Sequence, residues 1–180
     1  CIPVLTEKLL ELCILASGYD MALTVDAEES ERLEISLQII ENVLRRSQGD
    51  GWDGFGLAIQ AYQKRCLYLI DCLAGMADQY KRRLQVRLVK GAYWDSEIKH
   101  AQVEGLKGFP VYTRKVNTDL SYLTCAQKLL SRCDVFFPMF ATHNAHTICA
   151  ILEMAEGKEG LFEFQRLHGM GEGLYDIVLN

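Results

Sequence analysis

The feature of this 180-residue chain that most constrains its fold is a regular alternation of β-favouring and amphipathic helical segments. A first helix is predicted over residues 6–17, and five β-α units follow it. The predicted strands are residues 22–25, 56–61, 84–89, 135–141 and 161–167, and the helices between them are residues 32–46, 64–80, 118–132 and 145–155. Strand, crossover helix and strand at this spacing favour parallel pairing with right-handed crossovers.

Two architectures suit repeated β-α units, an open doubly wound sheet and a closed barrel. Polar side chains distinguish them, because they stand at or just beyond the carboxyl end of every predicted strand. They are Asp26, Gln60, Arg87, Lys90, His143, Asn144 and His168. A barrel gathers functional residues at that face from many strands, whereas a doubly wound sheet gathers them where its strand order reverses. We therefore predict an α/β fold that is a portion of a (β/α)₈ TIM-like barrel, with about five β-α units present.

The composition argues against nucleic-acid binding, membrane spanning and a disulfide-bonded fold. The net charge is −5 and the basic residues are scattered among acidic ones, so no nucleic-acid binding by this segment is expected. The apolar runs are far shorter than the roughly 20 residues that span a bilayer. The seven cysteines form no C-x-x-C pair, which favours reduced, mostly buried thiols in a cytoplasmic protein.

The sharpest local signal lies at the third predicted strand, where Arg87 and Lys90 precede Gly91, Tyr93 and Trp94. Two cations at a strand end, a glycine that permits close backbone approach and two aromatic rings suit a planar anionic cofactor. A flavin or a nucleotide would fit. The alternative is a solvated cation pair above aromatic residues that belong to the core.

A second cationic group consists of Thr113, Arg114 and Lys115 and lies before a predicted helix that Asn117 or Thr118 would cap. A hydroxyl, a guanidinium and an ammonium in this arrangement can hold a diphosphate through charge-assisted hydrogen bonds. The same three residues are also common on solvated surfaces.

The third group follows the fourth predicted strand and consists of Thr142, His143 and Asn144. Its short polar side chains offer donors to ribityl or phosphate oxygens. Alternatively, His143, His146 and Asp26 could ligate a metal in a barrel hydrolase, although metal sites normally need further ligands. A third alternative is a noncatalytic fragment or scaffold.

Four segments of the chain, taken together, resemble a known family. They are residues 87–99, 110–116, 140–147 and 164–175. In this order they are similar to the proline dehydrogenase domain of proline utilisation A, a bacterial bifunctional flavoenzyme. The resemblance implies a distorted (β/α)₈ barrel that binds FAD at the carboxyl ends of its strands. It further implies oxidation of L-proline to Δ1-pyrroline-5-carboxylate by hydride transfer to flavin N5, with electrons passed to a membrane quinone.

The resemblance also implies roles for individual residues. Arg87, Asp26 and Tyr93 are expected in catalysis, with Arg87 beside the flavin. The substrate is expected to contact Asp26, Ala92, Tyr93 and Leu167. FAD is expected to contact Gln60, Arg87, Val89, Lys90, Gly91, Trp94, Thr113, Arg114, Lys115, Thr142, His143 and Asn144. The resemblance implies no metal.

On this resemblance, residues 1–180 are the central part of a proline dehydrogenase barrel domain, with the first strands and the last strand and helix absent. The family's active-site lysine and its carboxylate-binding arginine pair would then lie outside these residues. The resemblance leaves open whether the parent chain also carries a pyrroline-5-carboxylate dehydrogenase domain or a DNA-binding domain. It likewise leaves open whether this cytoplasmic enzyme is peripheral at the inner membrane, where a quinone would accept its electrons.

Overall fold

The computed structural model describes residues 1–47 and 51–179 and shows one parallel sheet flanked by helices. The strands are β1 (Leu23–Val25), β2 (Phe55–Gln60), β3 (Leu84–Val89), β4 (Phe136–Ala141) and β5 (Glu163–Gln165). The α-helices are α1 (Ile2–Gly18), α2 (Leu33–Arg46), α3 (Cys66–Tyr80), α4 (Trp94–Val103), α5 (Lys115–Leu130), α6 (Ala145–Met154) and α7 (Glu172–Leu179). A short 3₁₀ helix, Ser30–Arg32, precedes α2.

The order of the strands confirms the predicted architecture. The sheet runs β1-β2-β3-β4-β5, and each strand pairs in parallel with its neighbour in sequence. A doubly wound sheet would reverse direction at one point, and no reversal occurs among the described strands. The chain is therefore a portion of a (β/α)₈ barrel, in which the carboxyl ends of successive strands form one rim.

The two faces of the sheet differ along β3. Leu84, Val86 and Leu88 are fully buried in a core cluster that includes residues of α3 and α5. Arg87 and Val89 alternate with them and are only partly buried, because successive side chains of a strand point to opposite faces. The helices cover the outer face, and the inner face carries the polar side chains.

Several predicted boundaries are wrong. Helix α1 begins at Ile2, with Pro3 in its first turn where a missing N–H costs no helical hydrogen bond. Helix α5 begins at Lys115, so Asn117 and Thr118 lie inside the helix and neither caps it. Strand β5 has three residues, whereas seven were expected from residues 161–167.

The environment of the thiols also differs from the expectation that most are buried. All seven cysteines are free and all lie in the described part of the chain. Cys13, Cys66 and Cys125 are buried, Cys133 is intermediate, and Cys1, Cys72 and Cys149 are exposed. Separately, no helix in residues 1–47 and 51–179 combines the length and apolar character that crossing a bilayer requires.

Candidate active site

A cleft of about 800 Å³ lies on the inner face of the sheet, at the carboxyl ends of the strands. Twelve residues predicted for catalysis, substrate or cofactor line it together. They are Asp26, Gln60, Arg87, Val89, Lys90, Gly91, Ala92, Tyr93, Thr142, His143, Asn144 and Leu167. They meet because the parallel strands end at one rim, although the chain separates them by up to 141 positions (167 − 26).

At the centre of this wall, Arg87 and Asp26 form an ion pair in which Arg87 Nη2 donates to Asp26 Oδ1. The strand register explains how they meet. Ala58 of β2 pairs with Arg87, and Asp26 directly follows Val25, which pairs with Leu57. The small Ala58 therefore lies between the two charged residues and leaves the guanidinium room to cross β2. Sequence reasoning did not identify Ala58.

Gln60 is buried at the end of β2 and joins two loops of the rim. Its Nε2 donates to the carbonyl of Glu28 at 2.8 Å, and its Oε1 accepts the N–H of Ala92 at 3.2 Å. Glu28 belongs to the loop after β1, and Ala92 to the turn after β3. Gln60 therefore holds together the two segments that carry Asp26 and Tyr93.

The turn after β3 contains a glycine that no other residue replaces without strain. Gly91 has φ +146°, and a Cβ built on it would lie 2.5 Å from the ring of Tyr62. Tyr62 is buried beneath the turn, and burial raises the pKa of its phenol to about 12, so the phenol is neutral at physiological pH. The turn therefore packs its backbone directly on an aromatic ring.

A second pocket of about 300 Å³ adjoins the cleft and shares Lys90 and Gly91 with it. Trp94, Thr113 and Lys115 also line this pocket, whereas Arg114 is exposed and lines neither cavity. The predicted cofactor residues are thus divided between two adjoining spaces. Arg114 lies apart from both.

Asp119 of α5 brings two lysines together beside this pocket. Lys115 Nζ donates to Asp119 Oδ2 at 2.6 Å, and Lys90 Nζ donates to Asp119 Oδ1. The hydrogen bonds from Lys115 and then Lys90 lower the pKa of the Asp119 carboxyl below its usual value. Asp119 was not predicted, although its spacing of four residues from Lys115 on a helix could have indicated an ion pair.

The segment before α5 is fixed by the aromatic residues of the pocket. Trp94 Nε1 donates to the carbonyl of Tyr112 at 2.9 Å, and the N–H of Tyr112 donates to the carbonyl of Tyr62 at 2.8 Å. Thr113 directly follows Tyr112. The indole therefore holds this side of the pocket as well as lining it.

At the end of β4, His143 Nε2 accepts the N–H of Leu167 at 3.1 Å. This bond places Leu167 on the cleft wall and occupies one of the two imidazole nitrogens through which His143 could bind a metal. His146 is exposed on α6, and Asp26 is paired with Arg87. Among residues 1–47 and 51–179, no three His, Cys, Asp or Glu side chains are grouped to hold a metal ion, so the hydrolase alternative gains no support.

Asn144 has a structural task in addition to lining the cleft. Its Oδ1 accepts the N–H of Thr147 at 2.9 Å and the hydroxyl of Thr147 at 3.1 Å, and so caps α6. The neighbouring carbonyl of Thr142 accepts the hydroxyl of Tyr175 at 2.7 Å. These bonds fix the rim after β4. Gln165 and Arg166, which also line the cleft, follow the same strand-end pattern but were not predicted.

Comparison with known proteins agrees with this geometry. The proline dehydrogenase family matches residues 2–180. The bifunctional protein PutA of Escherichia coli K12 is 56% identical over 176 residues, which cover 97% of this chain and 13% of that protein. PutA of Rhizobium meliloti is 50% identical over 179 residues, which cover 97% of this chain and 14% of that protein. The chain thus spans about one seventh of the length of these curated relatives.

Solved structures give the same answer for the fold. A crystal structure of bifunctional proline utilisation A superposes with a TM-score of 0.95 at 56% identity, over 98% of this chain and 18% of that chain. The enzyme from Bdellovibrio bacteriovorus, inactivated by N-propargylglycine, gives 0.93 at 30% identity, over 99% of this chain and 19% of that chain. The chain is similar in sequence and in fold to part of proline utilisation A. Because the family model matches residues 2–180, the chain belongs to the proline dehydrogenase family.

Proposed function

We propose that the cleft and the adjoining pocket hold FAD, and that the protein containing this chain oxidises L-proline to Δ1-pyrroline-5-carboxylate. One observation carries the proposal. Donors from successive strand ends line a cleft of about 800 Å³ together with Tyr93, and the cleft adjoins a pocket that bears two lysines and further aromatic residues. Because the chain belongs to the proline dehydrogenase family, proline is the substrate that we propose for this cleft.

The donor set of the two cavities fits FAD chemically. An isoalloxazine offers carbonyl and ring-nitrogen acceptors, and a diphosphate offers anionic oxygens, so both need N–H donors and cations. Arg87 and Lys90 on the wall of the cleft supply these groups, and Lys115 supplies a further cation at the second pocket. Each cation is also paired with a carboxylate, Arg87 with Asp26 and both lysines with Asp119, so three positive charges face two negative ones. The volume of the cleft lies within the roughly 300–1,000 Å³ usual for organic ligands.

When bound, FAD supplies the hydride acceptor at its N5 atom and the route by which electrons reach a quinone. Arg87 then places a fixed positive charge where negative charge develops, in a site that partly excludes water. Its pairing with Asp26 fixes the orientation of the guanidinium before the substrate arrives. Tyr93, Ala92 and Leu167 provide a largely apolar wall for the pyrrolidine ring.

The proposal extends to the parent protein. The curated relatives are named as bifunctional proteins, and this chain spans 13% to 14% of their length. We propose that the protein containing this chain likewise carries a pyrroline-5-carboxylate dehydrogenase domain that consumes the product. A position at the inner membrane surface would bring its flavin within reach of the quinone.

The experiment uses the full-length protein that contains these residues. We expect the purified protein to show flavin absorbance that bleaches when L-proline is added without oxygen. Arg87→Met is expected to reduce the rate of bleaching by at least about 100-fold, which is typical for loss of one charge-stabilising donor. Arg45→Met, on the exposed face of α2, is the matched control and should bleach like the wild type. A protein without flavin, or one whose flavin stays oxidised in proline, would overturn the proposal.

A further inference from the structure

We infer that Glu97 is a positioning residue, which fixes the loop carrying Asp26 against the turn carrying Ala92 and Tyr93. Its effect on catalysis rests on the proposed function above. Its effect on the loop does not, and can be measured without substrate.

The first observation is the burial of the Glu97 carboxylate. Glu97 lies in the first turn of α4 and is only 4% exposed. Its Oε1 accepts the N–H of Ser30 at 2.5 Å, and its Oε2 accepts the Ser30 hydroxyl at 2.6 Å. A buried carboxylate is unfavourable unless its oxygens are hydrogen-bonded. Here both donors come from one residue 67 positions earlier in the chain.

The second observation is that every polar group of Ser30 is held. The N–H and the hydroxyl of Ser30 donate to Glu97, and the carbonyl of Ser30 accepts from Arg65 Nη2. Arg65 directly precedes α3. Ser30 opens the 3₁₀ helix four residues after Asp26. It therefore links the loop after β1 to the structures that follow β2 and β3.

The third observation is the position of Asp26 between the end of β1 and the two anchored residues of the loop, Glu28 and Ser30. The Asp26 side chain is 79% exposed and makes its ion pair with Arg87. The end of β1 fixes the backbone of Asp26 on one side. On the other side the loop is anchored by Gln60 at Glu28 and by Glu97 at Ser30, and these two contacts limit how far Asp26 can move.

The fourth observation is that Glu97 is also tied to the substrate-facing turn. The N–H of Glu97 donates to the carbonyl of Tyr93 at 2.9 Å, because Tyr93 directly precedes α4. One residue thus contacts the loop of Asp26 through its side chain and the turn of Tyr93 through its backbone. The backbone bond is the ordinary first hydrogen bond of α4, so it is the side chain of Glu97 that links the loop of Asp26 to this helix.

The same two elements offer a matched control. His100 of α4 and Glu31 of the 3₁₀ helix approach at 3.5 Å, with both side chains more than half exposed. Exposed ion pairs contribute little to stability. Glu31→Ala therefore removes a carboxylate contact between these elements without disturbing the buried one.

The experiment compares Glu97→Ala, Glu97→Gln, Ser30→Ala and Glu31→Ala in the full-length protein with its flavin bound. The first readout is hydrogen–deuterium exchange at residues 26–30 without substrate. Exchange there should be on the order of tenfold faster in Glu97→Ala, since a charged hydrogen-bond acceptor is lost. Glu97→Gln should restore most of the protection, because its amide can accept the Ser30 N–H and donate to the hydroxyl. Glu31→Ala should match the wild type.

The second readout is the kinetics of proline oxidation. Glu97→Ala should raise KM for proline severalfold more than it lowers kcat, because the displaced groups are expected to contact substrate. If Glu97→Ala does not fold, Ser30→Ala replaces it with a smaller change in the same direction. Unchanged exchange at residues 26–30, or no rescue by Glu97→Gln, would overturn the inference. A wild-type protein that cannot oxidise proline would overturn the proposed function, while the exchange data would still decide the role of Glu97.

Discussion

The two faces of β3 have the same backbone and opposite tasks. Leu88 is fully buried in the core against the helices, whereas Arg87, one residue earlier, lines the open cleft. The outer face stabilises the fold through apolar packing, whereas the charged side chains of the inner face contribute little to that packing. Substitutions at adjacent positions should therefore separate stability from activity.

The largest expected effect tests this separation directly. Leu88→Ala should lower the free energy of unfolding by about 2–5 kcal/mol, because it removes apolar contacts and leaves a cavity. Arg87→Met should change it by less than about 1 kcal/mol, since its partner Asp26 is 79% exposed and ion pairs with an exposed partner contribute little to stability. Urea unfolding of the full-length protein measures both. Leu120→Ala, on the exposed side of α5, is the control, and equal losses for Leu88→Ala and Arg87→Met would contradict the comparison.

A second pair of substitutions compares the rim of the cleft with a covering helix. Gly91→Ala should destabilise the protein by about 1–3 kcal/mol, because alanine at φ +146° is strained and its Cβ meets the Tyr62 ring. Gly75→Ala should instead stabilise it by about 0.5–1 kcal/mol, since Gly75 lies in α3 with open space around it. Thermal unfolding of both variants shows whether each substitution raises or lowers the melting temperature. Equal signs would show that the turn is not the constrained element inferred here.

The third prediction concerns a residue of the outer layer that supports the inner rim. The Tyr122 hydroxyl of α5 lies 3.1 Å from the carbonyl of Leu88 and 3.3 Å from that of Ala141, at the ends of β3 and β4. Tyr122→Phe should cost about 1–2 kcal/mol, because buried carbonyls lose their donor. Tyr68→Phe, at an exposed position on α3, should change nothing measurable in the same unfolding assay. An equal result for the two variants would remove this link between the faces.

Much of the fold could be predicted from the sequence because its signals are local. The alternation of strand and helix patterns, and the polar residues at strand ends, depend on neighbouring residues alone. The same rule predicts Asp26, Arg87 and His143 at one rim, and the structure brings them to one cleft.

The remaining features are set by contacts between distant segments. Helix α4 is absent from the predicted elements because residues 94–103 lack a clear apolar period, and the burial of Glu97 depends on its distant partner Ser30. The pairing of Asp26 with Arg87 depends on the register that places the small Ala58 between them. In both pairs the contacting residue is distant in the chain, so the residues next to Glu97 or Asp26 in the sequence do not identify it.

The smallest expected effect is the pH dependence of the lysine-bearing pocket. The pKa of Asp119 is lowered in the folded protein, so the unfolded chain takes up a proton first as the pH falls. The contribution of Asp119 is therefore complete above the ordinary carboxyl pKa of about 4 and is lost as the pH falls through the lowered value. Asp119→Asn should lower the urea midpoint slightly at pH 7, and the difference from the wild type should shrink in acid. Glu153→Gln, an exposed change on α6, controls for lost surface charge. A difference that persists unchanged in acid would show that the carboxylate acts through its shape and not through its charge.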